Sequence, residues 1–156
     1  MMTTVYRNKL GMLAAFAIGA SLLAKTTSAE ADSAPKADVI VIHATNCEKP
    51  MVDPQIGEKP QLGYTCYKVV ERKSMQLAQG QGSTMALPNG RTFQLTYNGI
   101  VPASNPVRHK IGAAISKPDK SGYLSLADVN AELGKSVNFG GFAHQGGVLI
   151  MRVQLQ

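Results

Sequence analysis

Short stretches of alternating apolar and polar residues, separated by turn signals about every 8 to 14 residues, constrain the fold of this chain most strongly. Helical periodicity is almost absent after residue 31. The pattern predicts a mainly β domain, either an antiparallel β-sandwich or a small barrel of about seven to eight strands. Two short helical stretches are also predicted: one after Asp53, where Pro54 can occupy the first helical position, and one over residues 127–133.

The first predicted strand, residues 38–45, is apolar on both of its alternating faces. Val39 and Val41 share one face with His43, whereas Ile40 and Ile42 share the other. A strand that is apolar on both faces is typical of the middle of a sheet. We therefore expect a central strand, with His43 as a core residue that has one ring nitrogen satisfied.

A β-hairpin is predicted around Asn89-Gly90, because this dipeptide can supply the two positive-φ positions of a type I′ turn. The apolar residues that alternate on its two sides are Met85, Leu87, Phe93, Leu95 and Tyr97. Residues 117–128 have part of the spacing of a calcium-binding loop, but Lys117 stands where the first carboxylate is needed. A hairpin turn explains Pro118, Asp119 and Gly122 equally well, so we predict a turn there and no metal site.

The first 31 residues have the features of a secretory signal peptide. Arg7 and Lys9 form a positive region, residues 11–24 are an uninterrupted small and apolar run, and Ala29-Glu30-Ala31 offers a cleavage site. The run is shorter than the roughly 20 residues that a membrane-spanning helix requires, so we predict an exported protein, periplasmic or secreted, that does not span the membrane after cleavage. The predicted organisation is a signal peptide over residues 1–31, a disordered mature amino terminus over residues 32–37 and a single β-rich domain over residues 38–156.

Two cysteines, Cys47 and Cys66, lie in the mature chain. An even number of cysteines in an oxidising compartment predicts a disulfide. The alternatives are two buried thiols or a metal site shared with His43. The metal alternative supplies only three zinc ligands and has no C-x-x-C spacing, so a disulfide is the favoured interpretation.

The charge of the mature chain is mildly positive and scattered, with 13 Lys and Arg against 9 Asp and Glu after residue 31. A nucleic-acid-binding protein normally has a dense basic face with interleaved aromatic residues, and this chain contains no Trp. We therefore predict no nucleic-acid partner. The basic cluster Arg108-His109-Lys110 is a candidate for weak contact with an anionic glycan or lipid surface.

The sequence contains no motif of a catalytic site. A G-x-S-x-G nucleophile elbow and a phosphate-binding loop are absent, and the histidines have no partners at the level of sequence. His144 lies between two glycine pairs and is predicted to occupy an exposed loop. We predict no catalytic residues and no cofactor.

Several short segments together resemble a group of uncharacterised exported bacterial proteins. They are the strand that ends in Ala44-Thr45, Asp53-Pro54, residues 64–70 (Tyr-x-x-Tyr-basic-apolar-apolar), Leu-Pro-Asn-Gly-Arg over residues 87–91 and the glycine-rich block 140–150. The chain departs from that pattern after Asp53-Pro54, where Gly57 and Pro60 replace a longer amphipathic helix. The resemblance implies a small envelope domain and assigns no activity.

These observations favour a non-enzymatic β-domain that acts through contact with a partner protein in the cell envelope or outside it. Two alternatives stay open. One is a small hydrolase that uses His144 with an acidic partner, which requires an Asp or Glu within hydrogen-bonding distance. The other is a binder of anionic surfaces through Arg108, His109 and Lys110.

Overall fold

The computed structural model describes residues 34–156, which form nine β-strands and one short 3-10 helix. In chain order the strands are β1 (Lys36–Thr45), β2 (Met51–Val52), β3 (Cys66–Gln76), β4 (Gly82–Ala86), β5 (Thr92–Ile100), β6 (Arg108–Ser116), β7 (Tyr123–Glu132), β8 (Ser136–His144) and β9 (Gly147–Leu155). The helix, Pro54–Ile56, lies between β2 and β3. The predicted signal peptide lies outside the described residues.

The strands form two sheets, in the orders β2-β3-β1-β9-β8 and β4-β5-β6-β7. The chain leaves the five-stranded sheet after β3, builds the four-stranded sheet as a meander, and returns to the first sheet with β8. All neighbours are antiparallel except β2 and β3. The predicted mainly β, sandwich-like fold is confirmed, with no closed barrel. The strand count exceeds the prediction because the two-residue β2 lies in a proline-rich segment that has no strand pattern.

The central position predicted for β1 is confirmed, since this strand pairs with both β3 and β9. Its two faces contribute to two separate apolar clusters. The inter-sheet core, between the two sheets, includes Val39, Val41, Met85, Phe93, Leu95, Ile111, Ile115, Phe139, Leu149, Met151 and Val153. The outer cluster, on the opposite face of the five-stranded sheet, consists of Ile40, Ile42, Ala44, Ile56, Tyr67 and Ile150.

Strand β1 begins earlier than predicted. The backbone N–H of Lys36 donates to the carbonyl oxygen of Gln156 at 3.0 Å, and the N–H of Gln156 donates to Lys36 at 2.8 Å. Pro35 and Ala37 are buried. Residues 36 and 37, which were predicted to be disordered, thus belong to β1, where they pair with Gln156 and Leu155.

Strands β7 and β8 are longer than the sequence pattern indicates. Residues 127–132 were predicted to be helical but pair with β6, with Ala131 opposite His109. Strand β8 continues through Gly140 and Gly141, because a bulge between Gly140 and Phe142 absorbs the extra residue. His144 is consequently the last residue of a strand rather than a loop residue.

The hairpin of β4 and β5 is confirmed, but its turn is not type I′. Gly90 has a φ of 78°, whereas Asn89 is not among the described residues with positive φ. The N–H of Gly90 donates to Leu87 at 3.0 Å, and the N–H of Leu87 donates to Arg91 at 2.7 Å. Because Pro88 fixes its own φ near −65°, the chain forms a type I turn followed by a left-handed glycine.

Candidate functional site

The segment between β1 and β3 is anchored at both of its ends. Cys47 follows β1 and Cys66 begins β3, and their Cα atoms lie 5.9 Å apart with the sulfur atoms within bonding distance. This separation lies inside the range of about 4.4–6.8 Å that disulfides require. The two cysteines therefore lie at the distance that the predicted Cys47–Cys66 disulfide requires. The bridge closes a loop of 19 residues in sequence that has little regular structure.

The same loop folds back over the outer face of the five-stranded sheet. Asp53 caps the 3-10 helix by accepting a hydrogen bond from the N–H of Gln55 at 3.0 Å, and its other oxygen accepts from the N–H of Val69 at 3.4 Å. Ile56 is buried in the outer cluster against Tyr67 and its neighbours. The short helix predicted after Asp53 is confirmed, and it covers apolar surface that would otherwise face water.

A groove runs along the outer face of the sheet, with this loop on one side and β8 on the other. We call it the loop–β8 groove. Its polar end has a volume of about 360 Å³ and is lined chiefly by Glu58, Lys59, Gln61, Ser136, Asn138 and Arg152. Its apolar end has a volume of about 390 Å³ and is lined by Leu62, Tyr64, Asn138, Gly140, Gly141 and Val148. Asn138 contributes to both ends, so the two cavities adjoin along β8.

Arg152 forms the floor of the polar end. Its side chain belongs to β9 and the residue is only 7% exposed. Its Nε donates to the side-chain oxygen of Asn138 at 3.0 Å, and its Nη1 donates to the carbonyl oxygen of Ile56. Arg152 therefore ties the covering loop to the edge strand β8.

The charge of Arg152 is incompletely compensated. Burial lowers the pKa of its guanidinium group, and the negative charge of Glu58 partly opposes that shift. Within the described residues, however, no carboxylate lies within 4.0 Å of Arg152. Of its five N–H groups, the two hydrogen bonds leave three on the terminal nitrogens without an acceptor in residues 34–156.

The basic cluster predicted at the start of β6 is divided between two faces. Arg108 and Lys110 are exposed, whereas His109 is 7% exposed and faces the interior. The hydroxyl of Tyr97 lies 3.2 Å from Nδ1 of His109, and Nε2 has no hydrogen-bond partner in residues 34–156. Arg108 is ion-paired with Glu132 at 3.2 Å. His109 thus does not share an exposed surface with Arg108 and Lys110, because side chains alternate along a strand and that of His109 points inward.

His144 contacts a second histidine rather than an acid. The rings of His43 and His144 meet edge to face with centroids 5.1 Å apart, and Nε2 of His43 lies 3.0 Å from the carbonyl oxygen of His144. The single satisfied nitrogen predicted for His43 is confirmed, although its side chain is half-buried rather than in the core. In the described part of the chain, no Asp or Glu is hydrogen-bonded or ion-paired to His144. The same residues contain no group of three His, Cys, Asp or Glu side chains that could hold a metal ion.

The groove residues were missed by the sequence analysis, although one signal for them was present. The closing strand carries Arg152 in an otherwise apolar run, residues 148–153. A charge in a strand that is buried on both faces must find partners, because its desolvation is costly. The identity of those partners, Asn138 and the backbone of Ile56, depends on the fold.

No protein-family model, curated protein or solved structure matches this chain. The resemblance of layout to exported bacterial proteins stays a prediction. Among residues 34–156, no helix has the length and apolar character needed to cross a membrane.

Proposed function

We propose that this chain is an exported, non-enzymatic β-sandwich domain that binds an extended segment of a partner protein in its loop–β8 groove. The observation that carries the proposal is the groove itself, which joins a cationic polar end to an open apolar end along an edge strand. Protein-recognition sites commonly combine such an apolar anchor point with a few fixed polar groups.

The β8 side of the groove suits an occupant with an extended backbone. The residues of β8 that line it are Ser136, Asn138, Gly140 and Gly141, which are small or short. A Cβ atom added to Gly140 would lie 2.9 Å from the Cα of Ile150, so the packing of β9 favours glycine at that position. At the neighbouring Gly141 nothing lies within 4 Å of an added Cβ, so the surface is open there. Leu62, 47% exposed, then offers an apolar contact at the open end.

Export of the protein is part of the proposal and is supported by two independent features. The first is the signal-like amino-terminal sequence of residues 1–31. The second is the Cys47–Cys66 pair at disulfide distance, since structural disulfides persist in oxidising compartments. The partner is then a protein of the cell envelope or the extracellular space.

Leu62→Glu is expected to weaken binding of groove ligands about tenfold or more, because it places a charge on the apolar contact of the groove. The ligands are peptides selected from a random display library against the purified, oxidised protein, with affinities measured by calorimetry. Leu124→Glu is the matched control, because Leu124 lies on the other sheet and is 46% exposed. We expect it to change affinity less than about twofold.

The proposal is wrong if the selected peptides bind Leu62→Glu as tightly as the wild-type protein. It is also wrong if the library gives no groove-dependent peptide. Hydrolysis of a substrate in a manner that requires His144 would favour the hydrolase alternative instead.

A further inference from the structure

We infer that the polar end of the loop–β8 groove is a carboxylate-binding site, in which Arg152 and Lys59 recognise an acidic side chain of the bound segment. The inference deepens the proposed function and rests on it for the nature of the ligand. A carboxylate supplies up to four acceptor positions, and a guanidinium group offers paired N–H donors that match its geometry.

Arg152 is held in a fixed position but keeps unused hydrogen-bond donors. The protein fixes two of its N–H groups, on Asn138 and Ile56, and thereby fixes the orientation of the planar group. Its remaining donors lie on the terminal nitrogens of a residue that lines the cavity. A buried charge with unused donors at a cavity wall is stabilised by an anion that occupies the cavity.

Lys59 adds a second positive charge to the lining of the same cavity. Its Nζ lies 5.5 Å from the centre of the Tyr67 ring, which holds the ammonium group over the outer cluster beside the same cavity. The charges that line the polar end are therefore Lys59 and Arg152 against Glu58, a net charge of +1. Glu58 forms no ion pair within 4.0 Å in residues 34–156. A bound carboxylate would bring the net charge of the polar end from +1 to zero.

The shape of the groove indicates an Asp or Glu side chain rather than a chain terminus. Ser136, which also lines the polar end, is the first residue of β8 and precedes Asn138, the partner of Arg152. The groove thus extends past Arg152 on the side away from Leu62. A segment that lies in it can continue in both directions and present a side chain to the guanidinium group.

The inference is tested by nuclear magnetic resonance, using the side-chain Nε–H signal of Arg152. The probes are sodium acetate, N-acetyl-glutamate N-methylamide and its neutral glutamine analogue, each against sodium chloride at equal ionic strength. We expect saturable shifts with acetate and the glutamate probe, and none with the glutamine probe or chloride. N-acetyl-alanine, which carries a chain-terminal carboxylate, is expected to bind more weakly than the glutamate probe.

Two charge variants separate recognition from a purely structural role of Arg152. Glu58→Gln should tighten binding of the glutamate probe about two- to threefold, because it removes the competing negative charge. Lys59→Gln should weaken binding by a similar factor. Glu71→Gln is the control for Glu58→Gln, because it removes the same charge at an exposed position of β3 that does not line the cavity. It should leave the affinity unchanged.

The inference is overturned if acetate shifts the Arg152 signal no more than chloride does, or if Glu58→Gln and Glu71→Gln behave alike. Stronger binding of N-acetyl-alanine would replace the side-chain assignment with a chain terminus. Saturable glutamate binding without any library-selected peptide would support the site and remove the proposed function. Peptides whose binding depends on Leu62 but that carry no acidic residue would support the proposed function and overturn the carboxylate site.

Discussion

Replacing either Cys47 or Cys66 by serine is expected to lower the free energy of unfolding by about 2–4 kcal/mol. The bridge closes a loop of 19 residues in sequence, for which the chain-entropy model gives about 3 kcal/mol. The effect acts mainly on the unfolded chain, because the loop contains three prolines and two glycines but only one turn of 3-10 helix and the two-residue β2. Urea denaturation followed by circular dichroism measures the loss.

The double variant should be no less stable than either single variant, because the first substitution already removes the bridge. Reduction of the wild-type protein with dithiothreitol should reproduce the loss and leave both serine variants unchanged. Equal stability of the oxidised wild-type protein and the serine variants would show that the bridge does not stabilise the fold.

Tyr67→Ala is expected to cost about 3–5 kcal/mol of unfolding free energy, which is the usual cost of removing a buried aromatic ring. Tyr67 is fully buried in the outer cluster, and its hydroxyl accepts a hydrogen bond from the N–H of Tyr64 at 3.2 Å. Tyr67→Phe should cost only about 1 kcal/mol, because it removes that hydrogen bond and keeps the ring. Thermal and urea unfolding of both variants distinguish the two contributions.

Phe93→Ala is the matched comparison, since Phe93 is equally buried but lies in the inter-sheet core. We expect a loss of about 3–5 kcal/mol there as well. If Tyr67→Ala costs less than about 1 kcal/mol while Phe93→Ala costs the full amount, the loop and the outer cluster do not unfold together with the sandwich. The groove would then lack the rigid wall on which the proposed function depends.

The features that could be predicted from the sequence are those that depend on local pattern. The two apolar faces of β1 identified a central strand because alternation has a period of two along any strand. Asn89-Gly90 marked a hairpin because glycine tolerates the left-handed conformation, although Pro88 changed the turn type. The Cys47–Cys66 pair followed from cysteine number and compartment, since no other pairing exists.

The candidate site could not be predicted, because it is assembled from segments that are remote in sequence. Arg152 and Ile56 are 96 residues apart, and nothing in either neighbourhood indicates that they meet. The extension of β7 was missed for a related reason. Residues 127–132 have no strong strand pattern of their own, and their conformation is imposed by pairing with β6.

The position of β1 between β3 and β9 has a consequence for the order in which this chain can become native. Strand β9 is the final strand of the described chain, yet it supplies half of the pairing of β1 and part of both apolar clusters. A polypeptide that crosses a membrane pore with its amino end first cannot complete its middle strand until β9 has emerged. For the export proposed above, this topology would delay completion of the fold until β9 has left the pore, because the pairing of β1 with β9 is long-range.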